Sequence, residues 1–195
     1  MKIFGGFKLE DVDGEKHVEK EHTFYAEVED FNWTEDAKTK ELHEQWKLVY
    51  PGENISGRLR LINNRRFTEA VKEKIPGDIG HYECEFDIPE DAYMMKRKAA
   101  VSGYLKERYT FPITGTNKKW EVDVFKDRSG GRSKWVKIDL EVDNLNDDIP
   151  ELPFSVKCFF RDHPDAITEI KNDVRQLWEL EWLQISPKQA LSNIK

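Results

Sequence analysis

YLKERYTFPI (104–113), KWEVDVF (119–125) and WVKIDLEV (135–142) set the terms for the whole chain. Each stretch alternates charged and apolar residues with a period of two. Lys106 and Arg108 share one face of the first. Glu121 and Asp123 share one face of the second, and Lys137, Asp139 and Glu141 one face of the third. Successive side chains on a strand point to opposite faces, so each stretch reads as a strand with a charged side. Tyr109, Phe111, Val122, Val124, Ile138 and Leu140 fall on the other side. The charged side faces either water or a closed interior, and the three strands alone leave that open.

The same alternation extends towards the N-terminus. His81, Glu83, Glu85 and Asp87 share one face of the His81–Ile88 stretch, with Tyr82, Cys84, Phe86 and Ile88 opposite. Lys72 and Lys74 share a face of Arg66–Lys74, and Arg58 and Arg60 share one of Ser56–Ile62. Gln45–Tyr50 reads as the partner of that last strand in a hairpin around Pro51-Gly52, and Pro76-Gly77-Asp78 closes another. Lys16–Glu27 reads as one strand, with Glu19 and Glu21 on one face and Val18 and Phe24 on the other. A solvated edge strand is the plain alternative for those two acids. Met1–Leu9 is a candidate short strand ahead of an Asp13-Gly14 turn.

Three helices are expected. Thr34 reads as the N-cap of one running to about His43, with Glu35 and Asp36 suited to the dipole of its first turn. Pro89-Glu90-Asp91 opens a second, which carries Met94 and Met95 and ends near Gly103. After an acidic connection (144–153) and a Phe154–Phe160 strand, Ile167, Ile170, Val174, Leu177 and Trp178 follow helical spacing over about 165–183. That helix is expected to pack on the sheet, a homodimer contact through Trp178 and Trp182 being the alternative. Residues 186–195 read as a loose tail, and the whole 195-residue chain as a single domain.

Composition narrows the classes. Charged residues make up 35% and the formal net charge is -7, against a general nucleic-acid binder, since neutralising phosphates needs a basic surface. No apolar run approaches the ~18 residues of a membrane span. The N-terminal stretch does not read as a signal peptide, so Asn54-Ile55-Ser56 reads as a chance match to a glycosylation acceptor, and the expected location is the cytoplasm. Cys84 and Cys158 lack metal-ligand spacing and read as buried free thiols. There is no Gly-x4-Gly-Lys-Ser loop, no second histidine follows His43-Glu44 at zinc-protease spacing, and no Ser/His/Asp order stands out.

About seven strands thus offer charged faces of differing sign. In a sandwich these faces see water. In a closed barrel they line the interior, which is costly unless the charges pair or bind ions. Acids can hold divalent cations and bases a polyanion. Carboxylates two residues apart on a strand lie about 7 Å apart, too far for one tight chelate but suited to a hard cation shared between strands.

From Val18 to Val142 the order of motifs resembles the CYTH family, also called triphosphate tunnel metalloenzymes. Glu19-Lys20-Glu21-His22-Thr23 lies in the register of an ExExK strand and Arg58-Leu59-Arg60 in that of an RxR strand, with Lys72 matching a strand that ends in lysine. Glu83-Cys84-Glu85 before Pro89 matches an ExE strand followed by a Pro-led helix. Lys106-Glu107-Arg108 matches a KxR strand, Trp120–Phe125 a WEVDxF-like strand, and Asp139-Leu140-Glu141 a final ExE strand. Two positions depart from the pattern. Thr23 stands where the first motif has lysine, and Lys137 lies on the inward face beside Asp139.

The resemblance implies an α+β fold: a closed antiparallel eight-stranded β-barrel, or tunnel, with a charged lumen and helices packed outside. It implies a metal-dependent hydrolase of inorganic, thiamine or nucleoside triphosphate. A class IV-type adenylyl cyclase and a non-catalytic phosphate-binding module are the alternatives. Arg58, Arg60, Lys72, Lys106 and Arg108 would bind the phosphates, and Glu19, Glu21, Asp139 and Glu141 would hold Mg²⁺ or Mn²⁺. Glu83 or Glu85 would orient the attacking water. The partner is then a small-molecule triphosphate, with neither membrane nor nucleic acid involved.

Overall fold

Period-two alternation builds almost every element of the chain. The computed structural model describes residues 16–50, 54–77, 80–126 and 130–161. The strands are β1 (Lys16–Glu19), β2 (Glu21–Glu27), β3 (Thr39–Val49), β4 (Ile55–Ile62) and β5 (Arg66–Lys74), then β6 (His81–Asp87), β7 (Ser102–Pro112), β8 (Lys119–Lys126), β9 (Arg132–Glu141) and β10 (Cys158–Arg161). A 3-10 turn at Asn32–Asp36 and one α-helix, α1 (Glu90–Arg97), complete the described elements. The pairings β1–β6, β6–β5, β5–β4, β7–β8, β8–β9, β9–β2 and β2–β10 are all antiparallel.

The described residues divide into two compact units, the first within 16–19 and 44–103 and the second within 20–43 and 104–161. In the first unit the strand order is β1-β6-β5-β4, followed by the Glu44–Val49 part of β3. Its apolar face packs Val71 and Cys84 against Tyr50, Ile55, Tyr82 and Phe86. Gly57 belongs to this packing, because a Cβ there would collide with the Tyr50 ring. Helix α1 begins after an extended Pro89, carries Glu90 and Asp91 in its first turn and Lys96 and Arg97 in its last, as the helix dipole favours. Tyr93 anchors it, buried against Phe67 at 5.0 Å between ring centroids, while Arg97 lies over the Trp46 ring at 4.3 Å. Met94 and Met95 are exposed.

In the second unit the order is β7-β8-β9-β2-β10, with Thr39–His43 of β3 beside β7. Phe24, Tyr109, Trp120, Val122, Val124, Ile138 and Leu140 form its core, as their alternation required. The 3-10 turn closes that core. Trp33 stacks on Phe154 at 4.3 Å and meets the edge of Tyr109 at 5.5 Å.

Five expectations are corrected. The Thr34–His43 helix is instead one 3-10 turn followed by β3. Thr34 does not cap; its Oγ1 donates to the Phe31 carbonyl at 2.7 Å, and burial of Trp33 together with the alternation of Glu41, His43 and Gln45 outweighs the local helix signal. The hairpin strand expected at Gln45 therefore starts at Thr39. Lys16–Glu27 is two strands rather than one, since β1 pairs with β6 and β2 pairs with β9, with Lys20 between them. Val18 is accordingly half exposed while Phe24 is buried. The helix after Pro89 stops at Arg97, and the Phe154–Phe160 strand shrinks to Cys158–Arg161. The Met1–Leu9 strand, the Asp13-Gly14 and Pro51-Gly52 turns, the 165–183 helix and the tail lie outside the described residues.

Candidate functional site

In the first unit the charged face of the strands carries an alternating chain of acids and bases. Lys72 on β5 sits opposite Glu83 on β6 in the strand register, and its Nζ lies 3.0 Å from Glu83 Oε2. The same ammonium contacts Glu19 of β1. Arg58 on β4 contacts Glu83 and lies 3.9 Å from Glu85. Arg60 reaches Glu85 at 2.5 Å and donates from Nε to Gln45 Oε1 at 3.2 Å. β5 lies between β4 and β6, so these guanidiniums cross it to reach their acids. The residues opposite them on β5 are Ala70 and Thr68, small enough to let them pass. The run is thus Glu19, Lys72, Glu83, Arg58, Glu85, Arg60, three acids and three bases.

Part of this face is buried: Glu83 is 3% exposed and Arg60 6%, whereas the side chains of Arg58 and Glu85 are 25% and 28% exposed. Thr68, opposite Arg60, is buried with its hydroxyl oxygen lacking any hydrogen-bond partner. Burial pushes the Glu19 carboxyl up to about 7 against the pull of Lys72, with the neighbouring Glu83 adding to the rise. Burial acts on Glu83 in the same direction, but Arg58 and Lys72 bring it down to about 2.

The second unit carries a comparable network on the charged face of β7, β8, β9 and β2. Arg108 is opposite Asp123 in the register and forms a two-pronged pair with it, Nε to Oδ1 at 2.7 Å and Nη2 to Oδ2 at 2.8 Å. Its Nη1 contacts Glu121. Lys106 binds Asp123 at 2.5 Å, both partners buried. Asp139 accepts from Lys137 Nζ at 2.6 Å and from Thr23 Oγ1 at 2.8 Å, and lies 3.8 Å from Arg108. Asp123 is fully buried, which opposes its ionisation, yet Arg108 and Lys106 hold it well below the usual carboxylate range. Burial likewise opposes the charge on Arg108 and Lys137, and their acid partners raise both above their ordinary values.

The expected phosphate-binding residues therefore fall into two groups, Arg58, Arg60 and Lys72 in the first unit and Lys106 and Arg108 in the second. Glu83 and Glu85 join the first group. The expected metal ligands are divided. Glu19 lies in the first unit, whereas Glu21, Asp139 and Glu141 lie in the second, Glu21 and Glu141 being cross-strand neighbours at an exposed end. Among the described residues no three His, Cys, Asp or Glu side chains are arranged to hold a metal ion. Glu19 and Asp139 are already taken by lysine ammoniums. In this arrangement the residues do not fit a resident Mg²⁺ or Mn²⁺.

Two participants escaped sequence reasoning. Gln45 lay in an expected strand but carries no charge to mark it, and Thr68 shares the parity of Lys72 and likewise carries none. Lys137 was visible as an inward lysine beside Asp139, and the two do pair.

A second charged cluster lies on the opposite face of β7. Glu107 is buried there and is met by Lys40 and Lys126, each at 3.1 Å, by Arg132 at 2.7 Å and by the Tyr109 hydroxyl at 2.9 Å.

No protein-family model matches the chain, and no curated protein matches it. Solved structures do resemble it. The inorganic triphosphatase NE1496 is 18% identical over 64% of this chain and 73% of that one, with a TM-score of 0.38. The PH1819 protein of Pyrococcus horikoshii OT3 is 16% identical over 81% and 90%, with a TM-score of 0.47. HpAC1 of Hippeastrum, described as having a dominant triphosphatase activity, is 11% identical over 80% and 87%, with a TM-score of 0.43. No helix among the described residues is long and apolar enough to cross a membrane.

Proposed function

We propose that this chain binds a triphosphate on its buried charged strand faces and hydrolyses a phosphoanhydride bond. The observation that carries the reading is the burial of Arg60, Lys106, Glu83, Asp123 and Asp139 on strand faces opposite the apolar packing. A charged face that merely solubilised a sandwich would leave such groups in water, and burying them is costly without a use. Closure of the strands into an eight-stranded barrel, and with it a single domain, belongs to this proposal. It is supported by the way β1 and β2, separated by Lys20 alone, pair with β6 and with β9.

Arg58, Arg60 and Lys72, with Lys106 and Arg108, are the phosphate-binding cations of this reading. Guanidinium groups suit bidentate contacts to phosphate oxygens. A triphosphate displaces carboxylates from Arg58, Arg60 and Lys72. The released Glu83 and Glu85 then accept hydrogen bonds from water and orient it for attack. Phosphoryl transfer asks for little beyond such positioning and charge stabilisation. Mg²⁺ or Mn²⁺ enters as part of the substrate, as a metal–triphosphate complex. A cytoplasmic location goes with the reading, and Cys84 as a buried free thiol is in keeping with it.

The test is a panel of tripolyphosphate, nucleoside triphosphates and thiamine triphosphate with Mg²⁺ or Mn²⁺, resolving orthophosphate from pyrophosphate. Orthophosphate release that stops with chelator and falls about 100-fold in Arg58→Ala is expected, the size of loss seen when a charge-stabilising donor is removed. Pyrophosphate with a cyclic nucleotide would assign a cyclase instead. Tight binding without turnover would assign a binding module, the reading favoured by the pairing of Glu83 and Glu85 with arginines.

A further inference from the structure

We propose that Lys137 is the exchangeable cation of the second unit, the one that leaves its carboxylate to take a phosphate group of the ligand. The inference rests on the phosphate-binding part of the reading above, and adds a residue to it. Three cations stand on the charged face of β7 and β9, and their attachments differ. Lys106 is 3% exposed and bound to an equally buried Asp123. Arg108 is fixed from three directions, by two hydrogen bonds to Asp123, by Glu121 and by the nearby Asp139. Removing either leaves a buried Asp123 short of a partner.

Lys137 is attached differently. Its side chain is 26% exposed, and its hydrogen bonds go to the two oxygens of Asp139, two residues along the same strand, while Asp123 opposite it in the register and Glu21 act on it through charge without a hydrogen bond. Asp139 does not depend on it alone, because Thr23 Oγ1 donates to Asp139 at 2.8 Å from the paired strand and Arg108 stands 3.8 Å away. Withdrawal of Lys137 therefore leaves a carboxylate with a remaining hydrogen bond and a guanidinium beside it. The ammonium sits on a four-carbon stem that can swing without moving the backbone. A terminal phosphate group offers the ammonium three oxygens and up to two negative charges, where Asp139 offers two oxygens and one, so the ligand competes for Lys137. The same attachment accounts for the misfit with a resident metal ion, since Lys137 already occupies Asp139.

The experiment is calorimetric titration of inorganic tripolyphosphate into wild type, Lys137→Gln, Lys137→Thr and the swap Thr23→Lys/Lys137→Thr, once with EDTA and once with Mg²⁺. Arg66→Gln, at an exposed pair with Asp87, is the control for general charge loss. Circular dichroism and Tm establish that each variant is folded. Lys137→Gln is expected to weaken binding at least tenfold while Arg66→Gln stays within twofold. The swap is expected to recover most of what Lys137→Thr loses, because residue 23 reaches the same Asp139 from β2. Binding by Lys137→Gln within twofold of wild type overturns the inference, as does a swap no better than Lys137→Thr. The swap comparison decides if Lys137→Gln does not fold. Absence of binding by wild type overturns the functional reading and this inference with it, so the two failures are distinct.

Discussion

Glu107→Gln separates charge that holds the fold from charge that serves a ligand. Glu107 is buried on the apolar side of β7, where Lys40, Lys126 and Arg132 converge on it. Burial alone would raise its pKa, but Lys126, Lys40, Tyr109 and Arg132 together bring it down from 4.5 to about 2. A carboxylate with a depressed native pKa contributes stability that is present above its unfolded value and disappears as pH falls towards the native one. A depression of this size corresponds to about 3 kcal/mol. Lys40 is half exposed, and solvent screening of that arm reduces the contribution to roughly 2 kcal/mol. Glutamine keeps the shape and removes the titration. Urea unfolding of wild type and Glu107→Gln between pH 7 and pH 2 is the assay. The variant is expected to be roughly 2 kcal/mol less stable at pH 7, with the gap closing between about pH 4.5 and pH 2. Triphosphate binding is expected to stay within twofold, since Glu107 points away from Lys106 and Arg108. A gap that does not change with pH, or equal stabilities at pH 7, would refute the electrostatic account. Loss of binding at pH 7 in a folded variant would refute the assignment of faces.

Glu19 gives the opposite pH dependence. Its native pKa, raised to about 7, means that the folded chain holds a proton there which the unfolded chain releases from about pH 4.5 upward. Stability from this group is complete below that value and lost as pH rises through 7, so Glu19→Gln should show a flatter stability profile than wild type between pH 5 and pH 8. Gly57→Ala should destabilise by about 2 kcal/mol through overpacking against Tyr50, measured by thermal unfolding, and Tyr50→Ala in the same chain should recover part of the loss.

Much of the architecture was legible because a strand with one charged and one apolar face writes its parity into the sequence. Tyr109, Val122, Ile138 and Leu140 fell on the core side as their positions required. The break at Lys20 was not legible, because Glu19, Glu21 and Thr23 keep the same parity across it while the partner strand changes. Thr34-Glu35-Asp36 carries local helix signals. A buried Trp33 and the strand that follows override them through contacts with Tyr109 and Phe154, which are distant in sequence. The members of the charged faces could be named, but not their pairings. That Arg58 crosses β5 to reach Glu83 follows from the strand register and from the small Ala70 opposite it.

The pairing changes what the charged face of the first unit asks of a ligand. Arg58 and Arg60 are matched there by Glu83 and Glu85, while Lys72 meets Glu83 and a Glu19 that keeps its proton up to about pH 7. An anion gains only the difference between its own contacts and the carboxylate contacts it displaces. A single phosphate group offers too few oxygens to replace three carboxylates, and leaves buried acids without partners, which is penalised. A chain of three phosphates supplies oxygens to all three cations together, and a divalent cation carried with it offsets the released acids. On the proposed function, selection for polyphosphate over monophosphate would come from the number of ion pairs broken, before any contact with the group beyond the phosphates. Replacing Glu83 and Glu85 by glutamine would abolish that discrimination: the cations would be freed, monophosphate binding would rise, and the ratio of tripolyphosphate to orthophosphate affinity would fall. An unchanged ratio in a folded double variant would show that the carboxylates do not compete with the ligand.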